Sequence, residues 1–180
     1  NGGAYNVAIG RDSGQQVTTG VQNTLIGGLA GDALTTSAGS TAVGYAALST
    51  ETSGGKNTAI GYSALCANTI ASHNVAIGAE TLKSNTTGAG NVAVGTYALC
   101  STTTGSFNTI IGHQAMACSV TSNCNVAIGW LAGYQVCGYD NVFVGRSAGR
   151  KNPNVRWGTA IGANAACCIA SGCQYVSIGQ

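Results

Sequence analysis

The chain has 180 residues, of which 7% are charged, and a net charge of +2, against the ~25% charge of an ordinary globular domain. Seven basic residues spread along its length exclude a general polyanion binder, and a hydrophobic content of 44% excludes a charged disordered tail. No run of about 18 apolar residues offers a membrane-spanning helix, and no basic-then-apolar leader opens the chain. Glycine is abundant and Glu, Lys, Arg and Gln are scarce, which disfavours helix and suits strands of small residues joined by tight turns.

In chain order, Gly10, Gly27, Gly44, Gly61, Gly78, Gly95, Gly112 and Gly129 are evenly spaced; Gly145 comes one residue early, and Gly162 and Gly179 resume the spacing. A regular period of this kind, about 17 residues, predicts stacked coils. Counting the glycine as position five, the coils start at Asn6, Asn23, Ser40, Asn57, Asn74, Asn91, Asn108, Asn125, Asn141, Gly158 and Tyr175. Position two is Val or Thr and position three is mostly Ala. Position four is always Ile or Val: Ile9, Ile26, Val43, Ile60, Ile77, Val94, Ile111, Ile128, Val144, Ile161 and Ile178. Position eight is nearly always Ala, and position nine is Leu or Met in one subtype (Leu48, Leu65, Leu82, Leu99, Met116) and Gly in another (Gly14, Gly31, Gly133, Gly149). Three of those four glycines are followed three residues later by Val17, Leu34 or Val136, which reads as one core slot filled from either side of a turn. The rest of each repeat is Ser, Thr, Gly and Asn, the chemistry of loops.

These columns predict a single all-β repeat domain over residues 1–180, a parallel β-roll or β-solenoid of about ten 17-residue coils and a piece of a longer array. Coils ~4.8 Å apart make a rod of roughly 50 Å. Positions one to five form a short strand, with the Ile and Val ladders expected to fill the core and the smooth Ala face expected to pack on a neighbouring chain. A second short strand is expected around positions eight and nine. The glycine column marks a turn with positive φ or a close backbone approach. The position-one asparagines have two readings, an amide ladder along the rod or simple turn preference. A left-handed β-helix of hexapeptides needs three matches in an 18-residue coil, whereas a coil here has about 17 residues and one match, as at Ile60–Leu65, and the Ser/Thr/Gly half of each repeat lacks the helical period of a helical solenoid.

The motif Asn-(Val/Thr)-Ala-(Ile/Val)-Gly, as in Asn57–Gly61 and Asn74–Gly78, resembles the head repeats of YadA-like trimeric autotransporter adhesins and the arrays of phage and viral fibres. The resemblance runs from Asn6 to Gly179. It implies a left-handed parallel β-roll, a homotrimer, and a fibre element that binds surfaces or matrix without catalytic residues. The family repeat is shorter and its heads usually lack cysteine, so longer loops are expected along one edge here.

Eight cysteines, seven of them after residue 99, fit an oxidising compartment. Cys66 and Cys100 share a column two coils apart, ~9.6 Å by strand spacing, beyond disulfide reach. Cys100 with Cys118, Cys124 with Cys137, and Cys168 with Cys173 are the candidate bridges, and Cys66 a candidate for an interchain one; buried free thiols are the alternative. No CxxC is present and His73 and His113 fall in different columns, so no metal site is expected. Asp12, Asp32, Glu51, Glu80 and Asp140 form no carboxylate pair and no nucleophile motif surrounds a serine; neither an enzyme nor a cofactor is expected. Arg146, Arg150, Lys151 and Arg156 cluster within one coil, a candidate contact for an anionic surface or glycan, or a solvated loop. Trp130, Trp157, Tyr134 and Tyr139 lie nearby, suited to stack on a sugar or to cover the one-residue deletion. Asn85-Thr86-Thr87 is a glycosylation sequon.

The function expected from these features is an extracellular, cell-surface or virion fibre module whose partners are its own copies and a host surface, matrix or glycan, with no nucleic acid and no membrane insertion. A second reading is a filament subunit that stacks end to end through open parallel edges. A third, an ice- or lattice-binding solenoid, needs regular threonine columns; Thr24, Thr41 and Thr58 begin one, but Val75 and Val92 break it.

Overall fold

The computed structural model describes residues 5–169 and 172–179. Its strands are β1 (Val7–Ile9), β2 (Thr24–Ile26), β3 (Thr41–Val43), β4 (Thr58–Ile60), β5 (Val75–Ile77), β6 (Val92–Val94), β7 (Thr109–Ile111), β8 (Val126–Ile128), β9 (Val142–Val144), β10 (Val155–Arg156), β11 (Thr159–Ile161), β12 (Gly172–Cys173) and β13 (Val176–Ile178). All except β10 and β12 join one 11-stranded parallel sheet in chain order, and β10 and β12 pair with each other. The protein is a β-solenoid of about ten turns. Each strand pairs one repeat further on, with Val75 on Val92, Ala76 on Ala93 and Ile77 on Val94. Between β8 and β9 the shift is one residue shorter, Val126 pairing with Val142. The deletion removes loop position fourteen: the Cys137 amide still donates to the Pro153 carbonyl, as position thirteen does in other coils, and the Gly138 carbonyl still accepts from the Asn125 side chain.

The faces of the sheet are the reverse of the expectation. Position three points inward, with Leu25, Ala42, Ala59, Ala76, Ala93, Ile110, Ala127, Phe143 and Ala160 all buried, and the Ile and Val ladders at positions two and four point outward. Space is the reason. The inner wall opposite the strand already carries Ala at eight and Leu or Met at nine in most coils, all buried, so the core is about one large side chain thick and the strand's inward residue is Ala in most coils. No second strand forms at positions eight and nine either. That stretch is turn structure in each coil, because position nine has a left-handed backbone: Leu65, Leu82 and Leu99 all sit at φ 51°.

The shared core slot is present. Leu34 and Val136 are fully buried and Val17 packs against the core. A Cβ on Gly31 would collide with the Leu34 side chain. Gly149, the glycine without an aliphatic partner three residues on, faces the Phe143 ring, which occupies the place of its missing Cβ. Leu25 and Phe143, large residues at position three, thus fill what glycine leaves open.

The asparagines of position one form the ladder. The Asn108 amide and side chain both donate to Asn91 Oδ1, at 3.0 and 2.9 Å, and Asn125 repeats this on Asn108 Oδ1. Each side chain also donates across the coil to a position-fifteen carbonyl, Asn108 to Ser122 at 2.8 Å. The left-handed turn residue is instead the one before, position seventeen, so turn preference does not account for these asparagines. Buried polar groups paired in this way avoid a desolvation penalty of about 1–3 kcal/mol each.

Three columns, seven, nine and seventeen, sit at positive φ in the described coils, mostly with non-glycine residues, from Met116 at 46° to Tyr5 and His73 at 64°. None of them is Val, Ile or Thr, although these abound elsewhere, because a β-branched Cβ is most crowded in this conformation. The strain is held by coil-to-coil backbone bonds such as the Gln114 amide to the Thr96 carbonyl, 3.0 Å. At Gln114 (φ 56°), substitution by Val is expected to cost about 1–2 kcal/mol and by Gly to be neutral or stabilising; urea midpoints of the two variants check the order.

Candidate interaction surface

The solenoid's sheet presents an apolar ribbon to the outside. Ile26, Ile60, Ile77, Ile111, Ile128 and Ile161 are 36–40% exposed, stacked in one column beside the Val/Thr column of position two. A sheet whose bulky face is the outer one inverts the usual alternation of polar outside and apolar inside, and an apolar strip along a whole rod exceeds what isolated surface residues explain. The threonines of position two, Thr24, Thr41 and Thr58, lie on this face.

A longer threonine column lies outside the strand motif. Thr18, Thr35, Thr52, Thr69 and Thr86 each donate their hydroxyl to the carbonyl of the next threonine in position thirteen, at 2.9–3.3 Å, and Thr103 donates to Val120 at 3.4 Å. Their hydroxyls belong to the coil-to-coil bonding. Alignment of the repeats at loop position thirteen, rather than at the strand, is the signal that finds them.

The four cations of one coil do not converge. Arg146, Arg150, Lys151 and Arg156 occupy positions six, ten, eleven and sixteen, and so ring the rod. Arg156 stacks on the Tyr139 ring, 4.8 Å from its centroid, and Trp157 meets Tyr139 edge-on at 5.6 Å. Tyr139 borders the deletion, and these two side chains cover it. Trp130 and Trp157 are half exposed, on different columns. On another edge Tyr45 and Tyr62 stack face to face, 5.8 Å apart and 13° from parallel.

Within the single chain, Cys100 with Cys118 and Cys124 with Cys137 form no disulfide. Cys66, Cys100, Cys118, Cys124, Cys137, Cys167 and Cys168 are free thiols; the Cys173 side chain lies outside the described residues. Cys100 and Cys118 occupy positions ten and eleven, and Cys124 and Cys137 positions seventeen and thirteen. Parallel stacking superposes like positions, so cysteines in unlike columns are not brought to bonding geometry. Cys168 instead meets its neighbour Cys167, sulfur to sulfur at 3.2 Å. Burial pushes the Cys66 and Cys100 thiols up from their ordinary value, which keeps them protonated and weakly nucleophilic. The sequon asparagine Asn85 is fully buried and donates to Asn68 and Gly88, so this fold leaves no room for a glycan on it. Among the described residues no three His, Cys, Asp or Glu side chains converge as metal ligands.

One acid lies inside. Glu51 is fully buried at position twelve, where its neighbours along the rod are Leu34 and Asn68. Its carboxylate accepts from Ser37 Oγ at 2.5 Å, Ser40 Oγ at 3.4 Å, Asn57 Nδ2 at 2.6 Å and Asn68 Nδ2 at 2.7 Å. Burial raises its pKa above the ordinary 4.5, against the opposing pull of these four donors. A folded value above the unfolded one means that the fold holds the proton more tightly. The stability this contributes is complete below pH 4.5 and is lost as the pH rises through the folded value. Glu51→Gln is expected to remove that dependence: its oxygen replaces the carboxylate toward Asn57 and Asn68, and Ser37 and Ser40 turn to accept its amide. Urea midpoints from pH 4 to 8 check this; equal slopes in the two proteins would disprove it.

Comparison with known protein families, curated proteins and solved structures finds no match for the chain.

Proposed function

We propose that the protein is a structural fibre and adhesion module, a rigid β-solenoid that assembles through its apolar ribbon with two further copies and presents its loop edges to an external surface. The observation that carries this reading is the ribbon itself: one continuous column of half-exposed isoleucine and valine on the sheet's outer face. Covering it removes about 1 kcal/mol of exposed apolar surface per isoleucine, summed over the coils of each copy. The resemblance of the Asn-(Val/Thr)-Ala-(Ile/Val)-Gly repeat to trimeric adhesin heads supports the number three and an extracellular or virion setting. Rigidity and repetition then serve attachment by multiplying weak contacts along the rod. Nothing in this role asks for catalysis.

Light scattering of the purified chain is the test. A mass three times that of the single chain is expected at micromolar concentration; a clean monomer would overturn the assembly.

A further inference from the structure

In a solenoid, residues become neighbours by sharing a column, not by being close in sequence. The rule that scatters Arg146, Arg150, Lys151 and Arg156 around the rod brings Lys56 and His73 together. Both occupy position seventeen, on successive coils, with backbones about 4.8 Å apart. Neither one has a carboxylate partner among the described residues, where the ion pairs are Arg11–Asp12 and Lys83–Glu80.

The two residues border a shallow, open hollow on the surface, completed by Thr36 and Ala38 from the coil before, by Ser53, Gly54 and Gly55, and by Ser72. No acidic side chain lines it. The stack requires both glycines: a Cβ on Gly54 would point inward, against the Ala71 carbonyl oxygen and 3.2 Å from the buried Glu51 carboxyl, and one on Gly55 would lie 2.8 Å from the Ala38 carbonyl oxygen. The column also opens on both sides, at Gly39 and Gly90, each at positive φ. The Lys56 stem passes 3.7 Å from the Cβ position of Gly39, over the gap that this glycine leaves. The side-chain hydroxyls of Thr36, Ser53 and Ser72 have no hydrogen-bond partner within the chain among the described residues, unlike the hydroxyls of position thirteen.

An ammonium group, an imidazole and three free hydroxyls on one exposed face match the donors that a tetrahedral oxyanion requires. We infer that this hollow is a binding site for a sulfate or phosphate ester carried by a larger molecule. The Lys56 ammonium supplies the charge, and the His73 ring N–H and the hydroxyls supply direction. The site needs one chain only and does not rest on the assembly of copies.

The test is a titration of the isotope-labelled protein followed by backbone amide shifts, with sodium sulfate and inorganic phosphate in separate series and ionic strength fixed by sodium chloride. Saturable shifts confined to residues 53–56, 72 and 73 are expected. Lys56→Gln and His73→Gln should each weaken binding at least fivefold with the rest of the spectrum unchanged, while Lys83→Gln, on another column and paired with Glu80, should leave it as it was. Glucosamine 6-sulfate and phosphoserine, titrated in parallel, show which ester is the better ligand. Shifts that fail to saturate, that chloride reproduces, or that survive both Lys56→Gln and His73→Gln overturn the site.

Discussion

Gly95→Ala should destabilise the rod by about 3 kcal/mol or more. Two independent costs coincide at this position. The backbone sits at φ 128°, a region closed to residues with a Cβ and worth about 1–3 kcal/mol of strain. The added carbon would also lie 2.7 Å from both the carbonyl carbon and oxygen of Gly112 in the next coil. Neither atom can retreat, because the Gly112 amide donates to the Val94 carbonyl at 2.8 Å and fixes the spacing of the coils. Relief by separation would break the ladder that makes the fold. Each repeat touches only its neighbours, so a break here is expected to divide the unfolding into two transitions. Gly28→Ala is the control: this glycine has no positive φ, and its Cβ would meet the Tyr45 ring at 3.4 Å, an ordinary contact. Urea unfolding followed by circular dichroism should place Gly28→Ala within about 1 kcal/mol of the parent. A Gly95→Ala protein as stable as Gly28→Ala would show that the column is not a close approach.

The architecture is legible in the sequence because a parallel solenoid writes its register directly into the period. The glycine column, the coil starts and the deletion each correspond to a feature of the ladder. The direction of the strand is where the sequence misleads. The rule that larger apolar residues are buried places Ile and Val inside. In a coil one side chain thick the rule fails, since depth is set by the opposite wall. The correcting signal is present at position three, where Leu25 and Phe143 replace Ala beside the glycines of position nine. Size compensation marks residues that share a space, and the Ile/Val column never shows it. The left-handed columns are equally readable, from the absence of Val, Ile and Thr at positions seven, nine and seventeen. The cysteine pairings fail for a different reason. Proximity by coil number ignores the column, and Cys124 and Cys137 lie four positions apart around the loop. The Lys56–His73 pair is invisible to a search for clusters along the chain, because a full repeat separates its members.

The reversal of the strand faces changes which substitutions bear on assembly. With Ala inside, the outer ladder is free to be altered without emptying the core. Ile77 and Ile111 are 38% and 40% exposed in the single chain, so lysines there keep their ammonium groups in water and stretch their stems along the ribbon. Ile77→Lys with Ile111→Lys should therefore lower the chain's own stability by no more than about 1 kcal/mol. The proposed trimer is expected to respond differently. Each lysine forfeits about 1 kcal/mol of apolar burial per copy and places an unpaired charge inside a covered interface, which costs several kcal/mol more. Each loss of about 1.4 kcal/mol weakens affinity tenfold, so the double substitution is expected to convert a trimer to monomers at micromolar concentration while the circular dichroism stays that of the parent. Ala76→Lys separates the two faces: Ala76 is fully buried, and a lysine there should unfold the chain rather than disperse it. A double variant that remains at the parent's mass would show that copies meet elsewhere on the rod, and that the isoleucine ribbon serves another contact.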